Sequence, residues 1–328
     1  MSGQASWNID TTAAQLGSFT FAAELADIAD HRPDIVMLTA DLTTSNRGGD
    51  FLFRHPQRYF DVGIAEQNMM GIAAGLASCG YRPFVTTFAS FASLLCAEHL
   101  RTDLAYTQMP VCVLAHHAGI SMGFYGTSHH AVEDIALTRA ISGLNVISPC
   151  DGNATRAAVR AALEIDGPTY VRLGRGREPD VYDAPPNLRP GKWINLRTGT
   201  DGTLIATGLG VHLALGAASA LSQRDGIEMA VVDAAWLKPI DEAAIADAAG
   251  RGLIITVEEH NPVGGLTSAV AEVLVGLEGP RVPLRGCTLP DGYSLVAPPS
   301  RLYRRYGLTI EGVTEQARQI FEKGRPPR

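Results

Sequence analysis

The chain has 328 residues, 46% hydrophobic and 19% charged, which is enough to bury two cores and excludes a disordered or fibrous class. With 27 basic against 34 acidic residues the formal charge is −7 and no basic run or stripe stands out, so neither nucleic acid nor an anionic membrane is expected as the main partner. The five cysteines lack CxxC spacing and lie in or beside apolar segments. They read as buried free thiols, and with no signal-peptide pattern and no membrane-length apolar run a cytoplasmic location is expected.

Residues 1 to about 17 read as an arm leading into a helix near 18–28. Short apolar runs at 35–40, 84–88, 111–115, 146–148 and 169–173 then alternate with helical stretches. Continuous apolar strands between helices predict a parallel sheet covered on both faces. The stretch 178–190, rich in Pro and Asp, breaks this rhythm and reads as a linker. Strands at 204–207, 229–232 and 254–257 and helices at 213–223, 241–249 and 265–274 follow. The fold class expected is therefore α/β with two parallel-sheet domains: 1–180, a linker over 181–199, and 200–328.

Glu66 is the only acid between Asp61 and Glu98. At helical spacing it shares a face with Met70, Ala73 and Ala77. Such a carboxylate would be desolvated, which raises its pKa and suits it to sharing a proton with a buried ligand. A plain helix-terminal acid favoured by the macrodipole is the other reading.

Ligands of open parallel sheets gather beyond the carboxyl ends of the strands. Asp41, Phe88, Phe91, His116, His117 and Arg175 fall there, with the loops Thr43-Thr44-Ser45-Asn46 and Gly123 to His130 extending the edges. Asp41 also fits a helix N-cap, and the two phenylalanines also fit plain core. The spacing of His116, His117, His129 and His130 is not that of a structural zinc site. Histidines and arginines around a crevice suit an anionic, hydroxylated small molecule, and no metal ligand is expected on this chain.

These residues resemble the carboxy-terminal half of transketolase, as found in split, two-subunit transketolases. The motifs are Asp61-Val-Gly-Ile-Ala-Glu66-Gln, Phe88-Ala-Ser-Phe91, Gly123 to His130, Asp134-Ile-Ala-Leu, Val171-Arg-Leu-Gly-Arg175-Gly and Glu258-Glu-His-Asn-Pro-Val-Gly-Gly265. Their order and spacing cover nearly the whole chain. The resemblance implies a pyrimidine-binding domain followed by the family's carboxy-terminal domain, thiamine diphosphate as cofactor, and transfer of a two-carbon ketol unit from a ketose phosphate to an aldose phosphate. In this family a glutamate bonds the aminopyrimidine ring and stabilises the imino tautomer that deprotonates the thiazolium. Glu66 matches it. Phe88 and Phe91 match the aromatics on the aminopyrimidine, and Asp41 the acid near the thiamine rings at the subunit boundary. His129 matches the histidine at the donor carbonyl. Ser45, His117 and Arg175 match groups holding the sugar phosphate.

Three departures shape the expectation. No Gly-Asp-Gly with a distant Asn is present, so the magnesium and diphosphate are expected on a partner subunit carrying the amino-terminal half, in an α2β2 heterotetramer. Tyr125 stands where the family has an aspartate that reads a donor hydroxyl, which implies a branched, deoxy or otherwise atypical donor. Gln15 falls about where a phosphate-binding arginine is expected. Leu94 stands near where deoxyxylulose-phosphate synthases carry an arginine, which counts against that relative. Two alternatives share the fold: a β subunit of a 2-oxoacid dehydrogenase E1 component, and a non-catalytic assembly subunit.

Overall fold

A computed structural model describes residues 17–176, 178–279 and 281–324, without the side chains of the last two. Gln15 lies outside the described residues. Twelve strands run in chain order: β1 (Ile35–Thr39), β2 (Tyr59–Asp61), β3 (Arg82–Phe88), β4 (Cys112–His116), β5 (Asn145–Ile147), β6 (Thr169–Arg172), β7 (Ile194–Arg197), β8 (Gly202–Ala206), β9 (Met229–Asp233), β10 (Trp236–Lys238), β11 (Ile254–Val257) and β12 (Leu284–Cys287). They form a seven-stranded sheet, β10-β5-β6-β4-β3-β1-β2, and a five-stranded sheet, β12-β11-β8-β9-β7.

The central strands are buried along their length because helices cover both faces. β1, β4, β8, β9 and β11 show no exposed residue, and helical crossovers make their neighbours parallel. Each sheet departs from the expected all-parallel pattern at one edge. β7 pairs antiparallel with β9, and β10 pairs antiparallel with β5. Only two residues separate β9 from β10, too few for a crossover, so the chain leaves one sheet and enters the other in the reverse direction. That step stitches the two sheets together. β7 lies inside the stretch expected to be linker, and its half-exposed edge position explains why it carries no apolar run.

Three interactions lock the units. Arg172, 4% exposed, pairs with Asp134 at 2.8 Å and donates to the carbonyls of Ala131 and Glu259. The Glu259 carboxylate accepts from the Ile120 N–H at 2.7 Å and the Tyr303 hydroxyl at 2.9 Å, and burial pushes its pKa up to about 7. Asp233, likewise raised to about 7 by burial, accepts from the Tyr182 hydroxyl at 2.7 Å. Glycine permits one close approach in the second unit. A Cβ on Gly216, in helix Leu209–Asp225, would meet Ile310 of helix Ile310–Gly324 at 2.7 Å. Among the described residues, no helix is long and apolar enough to cross a membrane.

Candidate active site

The order β6-β4-β3-β1 sets four adjacent parallel strands with their carboxyl ends along one edge. Phe88 ends β3 and His116 ends β4; Asp41, His117 and Arg175 follow β1, β4 and β6 within three residues. Asp41 and His117 both hold left-handed backbone, at φ 59° and 60°, a conformation that non-glycine residues keep only when the surroundings impose it. No described helix begins at Asp41, so it is not an N-cap. Its N–H instead donates to Asp61 Oδ1 at 2.9 Å.

Beyond β3 the backbone runs in π-helical turns over Phe91–Leu95 and Leu100–Ala105. A π turn widens the helix and re-aims side chains, a feature concentrated at functional sites. Phe91 thereby meets Phe88 edge-on with ring centres 5.6 Å apart. His129 sits 5.3 Å from Phe88 and 5.1 Å from Phe91. Tyr125, 54% exposed, stacks on His129 at 4.8 Å. His117 lies 4.9 Å from Phe88. The Arg175 guanidinium covers the Phe124 ring at 5.0 Å, and Phe124 in turn touches Tyr125.

Glu66 opens helix Glu66–Ser78 and is 8% exposed, on the face that buries Met69, Met70, Ala73 and Ala77. Its carboxylate makes no hydrogen bond or ion pair with another described residue. The next residue ties this helix to the π segment, Gln67 Nε2 donating to the Leu95 carbonyl at 2.9 Å. Cys96, at the end of that segment, has its thiol pushed up to about 12, by burial first and then by the nearby Glu66 charge.

Burial holds the histidines of this edge below their ordinary value. Burial lowers His116 to about 3, and burial with neighbouring His116, Arg175 and His129 lowers His117 to about 2. His129 and His130 are also lowered by burial. Unpartnered buried groups lie beside the rings: Thr87 Oγ1, Ser90 Oγ and His116 Nε2. Among the described residues, no group of three or more His, Cys, Asp or Glu is arranged to hold a metal.

The structure therefore gathers Phe88, Phe91, His117, Tyr125 and His129 into one run of ring contacts, with Arg175 joined through Phe124 and Glu66 through the π segment. Asp41 and Ser45 are exposed on the rim, on the loop after β1. That loop is fixed by Asn46, whose amide donates to Thr39 Oγ1 and whose oxygen accepts from the Gly48 N–H. Sequence reasoning missed Phe19 and Arg47. Phe19 lies in a 3-10 turn, Gly17–Thr20, rather than in the expected helix, 5.5 Å from His117 and 5.9 Å from the Arg47 guanidinium. Both help line a hollow of ≈ 490 Å³ with Thr43, Thr44, Gly49 and Asp50. No periodic signal marks either residue.

The second sheet has its own strand-end feature, the Gly264-Gly265 turn opening helix Leu266–Gly276. Glu258 fills it, accepting from the N–H groups of Leu266 and Thr267 and from the Thr267 hydroxyl at 2.6, 2.8 and 2.7 Å. The chain's own carboxylate takes the position where an external anion would bind.

Two family models match in tandem: the transketolase pyrimidine binding domain over residues 18–179 and the transketolase C-terminal domain over 191–313. The chain belongs to the transketolase family. Within it, the chain is 38% identical over 306 residues to an apulose-4-phosphate transketolase subunit of Phocaeicola vulgatus, covering 93% of this chain and 97% of that one. It is 35% identical over 305 residues to a 6-deoxy-6-sulfo-D-fructose transketolase subunit of a Clostridium species, covering 93% and 94%. A solved split gene transketolase, an inactive beta4 tetramer, superposes with a TM-score of 0.85 at 39% identity, covering 95% of this chain and 100% of that one. The two α/β units are thus those of the carboxy-terminal half of transketolase, as its motifs imply.

Proposed function

We propose that this chain is the carboxy-terminal, β-type subunit of a two-subunit transketolase, moving a two-carbon ketol unit from a ketose phosphate to an aldose phosphate. Residues 1–180 would form the pyrimidine-binding unit and 200–328 the carboxy-terminal unit, with a connector between them that also supplies β7. One observation carries the reading. Glu66, a buried residue whose carboxylate makes no hydrogen bond to another described residue, opens a helix that Gln67 joins to the π segment carrying Phe91, and Phe91 meets Phe88 and His129.

That arrangement fits thiamine diphosphate. An unpartnered buried carboxyl suits the ring nitrogen of an aminopyrimidine, and apolar rings suit its faces. The bound cofactor supplies a nucleophilic carbon and the electron sink needed to break the bond beside a ketose carbonyl. Glu66 would hold the proton shared with the pyrimidine, and Phe88 and Phe91 would fix the ring and exclude water. His129 would donate to or accept from the donor oxygen. His117, Ser45 and Arg175 would hold the sugar and its phosphate, and Asp41 would meet the cofactor at the subunit boundary. Tyr125 walls the donor site with a neutral phenol, which favours donors other than ordinary ketose phosphates. The relatives named for apulose 4-phosphate and 6-deoxy-6-sulfofructose accord with that.

A partner subunit would carry the diphosphate-binding domain and Mg2+, in an α2β2 assembly in the cytoplasm. The solved split gene transketolase is an inactive beta4 tetramer, which accords with that. Here Ile64, Leu94 and Leu95 are 82%, 50% and 51% exposed beside the cleft, apolar surface that suits coverage by another chain. The test is a donor screen of this chain reconstituted with an amino-terminal transketolase subunit, thiamine diphosphate and Mg2+. Ketol transfer by the pair and none by either chain alone is expected. Turnover by this chain alone, or none by the pair on any ketose phosphate, would contradict the reading.

A further inference from the structure

His116 and His117 are adjacent in sequence and face each other through the same ring atom. Their Nδ1 atoms are 2.6 Å apart. In a hydrogen bond between two neutral imidazoles, one nitrogen carries the proton and the other accepts it. Both rings are neutral, since burial holds each far below its ordinary pKa, so only two arrangements exist. If His117 donated, His116 would carry its proton on Nε2. That atom is buried without a partner in a side chain that is 0% exposed, so an N–H would be orphaned there. If His116 donates, the same buried atom is a bare ring nitrogen. Orphaned buried N–H groups are rarer in folded backbones than under-satisfied acceptors, and the same preference is taken here for the ring.

We infer that His116 is a positioning residue: its Nδ1–H donates to His117 Nδ1 and so fixes His117 as the tautomer that carries its proton on Nε2, a neutral hydrogen-bond donor. The backbone and the flanking rings hold the pair in place. His117 is held in left-handed conformation at φ 60°, its N–H donating to the Gly174 carbonyl at 2.9 Å. Its ring is clamped between Phe19 at 5.5 Å and Phe88 at 4.9 Å. The ring therefore cannot flip without breaking the Nδ1 pair. If His117 is a sugar-binding group as proposed above, it recognises an acceptor oxygen (carbonyl, hydroxyl or phosphoryl) and offers no cation to it. Ionic recognition of the tail then falls to arginine.

The test needs no catalysis. Protein labelled with 15N in its histidines is examined by nitrogen NMR, with His117→Asn assigning that residue. The expected result is a protonated Nε2 and a bare Nδ1 for His117 from pH 6 to pH 8. His116→Asn retains a donor at the Nδ1 position and should keep that signature, whereas His116→Leu should leave His117 as a mixture of tautomers. In the reconstituted pair, His116→Leu should raise KM for the best ketose phosphate of the donor screen about fivefold, the loss of about one hydrogen bond, and His116→Asn should restore it. A bare Nε2 on wild-type His117, or an unaltered tautomer in His116→Leu, would overturn the inference. Absence of ketol transfer in the wild-type pair would sink the proposed function and leave the NMR result standing.

Discussion

The two sheets present the same kind of edge and treat it in opposite ways. At the carboxyl ends of β3 and β4 the chain leaves polar atoms unsatisfied, among them Thr87 Oγ1, Ser90 Oγ and His116 Nε2, and holds His117 in left-handed backbone. Beyond the end of β11, Glu258 satisfies the helix terminus with three short hydrogen bonds. Unmade hydrogen bonds cost stability, and folds keep such groups mostly where an arrangement serves something other than packing. The first edge keeps unmet groups beside its ring contacts, whereas the Gly264-Gly265 turn of the second is closed by the chain itself, although that sheet too keeps one unmet atom, Asp233 Oδ1 at the end of β9.

Substitution breaks or sharpens this contrast most directly. Glu258→Ala orphans two N–H groups, and it should cost about 2–3 kcal/mol in urea denaturation. Ketol transfer per folded molecule should be retained. A cost below about 0.5 kcal/mol would show that the second edge is not closed by this carboxylate.

The regions also carry opposite pH signatures. His116 and His117 have folded values of about 3 and about 2 against an ordinary 6.5. Their contribution is present above pH 6.5 and is lost as pH falls, because the unfolded chain takes up the protons first. Asp233 and Glu259 are raised to about 7 from ordinary values of 3.8 and 4.5. Their contribution is complete near pH 4 and is lost as pH rises through about 7. Asp233→Asn removes one of these acids. Its stability relative to wild type should therefore improve from pH 5 to pH 7, by about 1.4 kcal/mol per pH unit at most. A difference that is flat with pH would show that Asp233 ionises normally.

The smallest effect sharpens the contrast from the other side. Thr87→Val removes a hydroxyl that has no partner among the described residues. It should change stability by less than about 0.5 kcal/mol or improve it. A loss comparable to that of Glu258→Ala would mean the first edge is as fully bonded as the second.

Much of this was legible in the sequence, and for identifiable reasons. The buried central strands announced themselves as apolar runs because both faces are covered. Edge strands did not: β2 reads Tyr-Phe-Asp, β7 is half exposed and β12 reads Leu-Arg-Gly-Cys, so none shows a run. The antiparallel return of β10 depends on a pairing across units that no local pattern encodes. At the site, strand-end placement brought forward Asp41, Phe88, His117 and Arg175, and the spacing of the 123–130 loop brought forward His129. The contributions of Phe19 and Arg47 arise only when the turn before the first helix folds over the histidines. The shared Nδ1 contact of His116 and His117 was equally invisible, since neighbours in sequence along a regular strand face opposite ways and only the left-handed φ of His117 turns them together.

The claim on which the rest depends is that the Glu66 carboxylate holds a proton shared with the cofactor's pyrimidine. Glu66→Gln, assayed for ketol transfer in the reconstituted pair with saturating thiamine diphosphate and Mg2+, measures it directly. The account predicts a fall in turnover of at least about 100-fold with unchanged circular dichroism and thermal midpoint. Turnover within about twofold of wild type, less than about 0.5 kcal/mol of barrier, would contradict it.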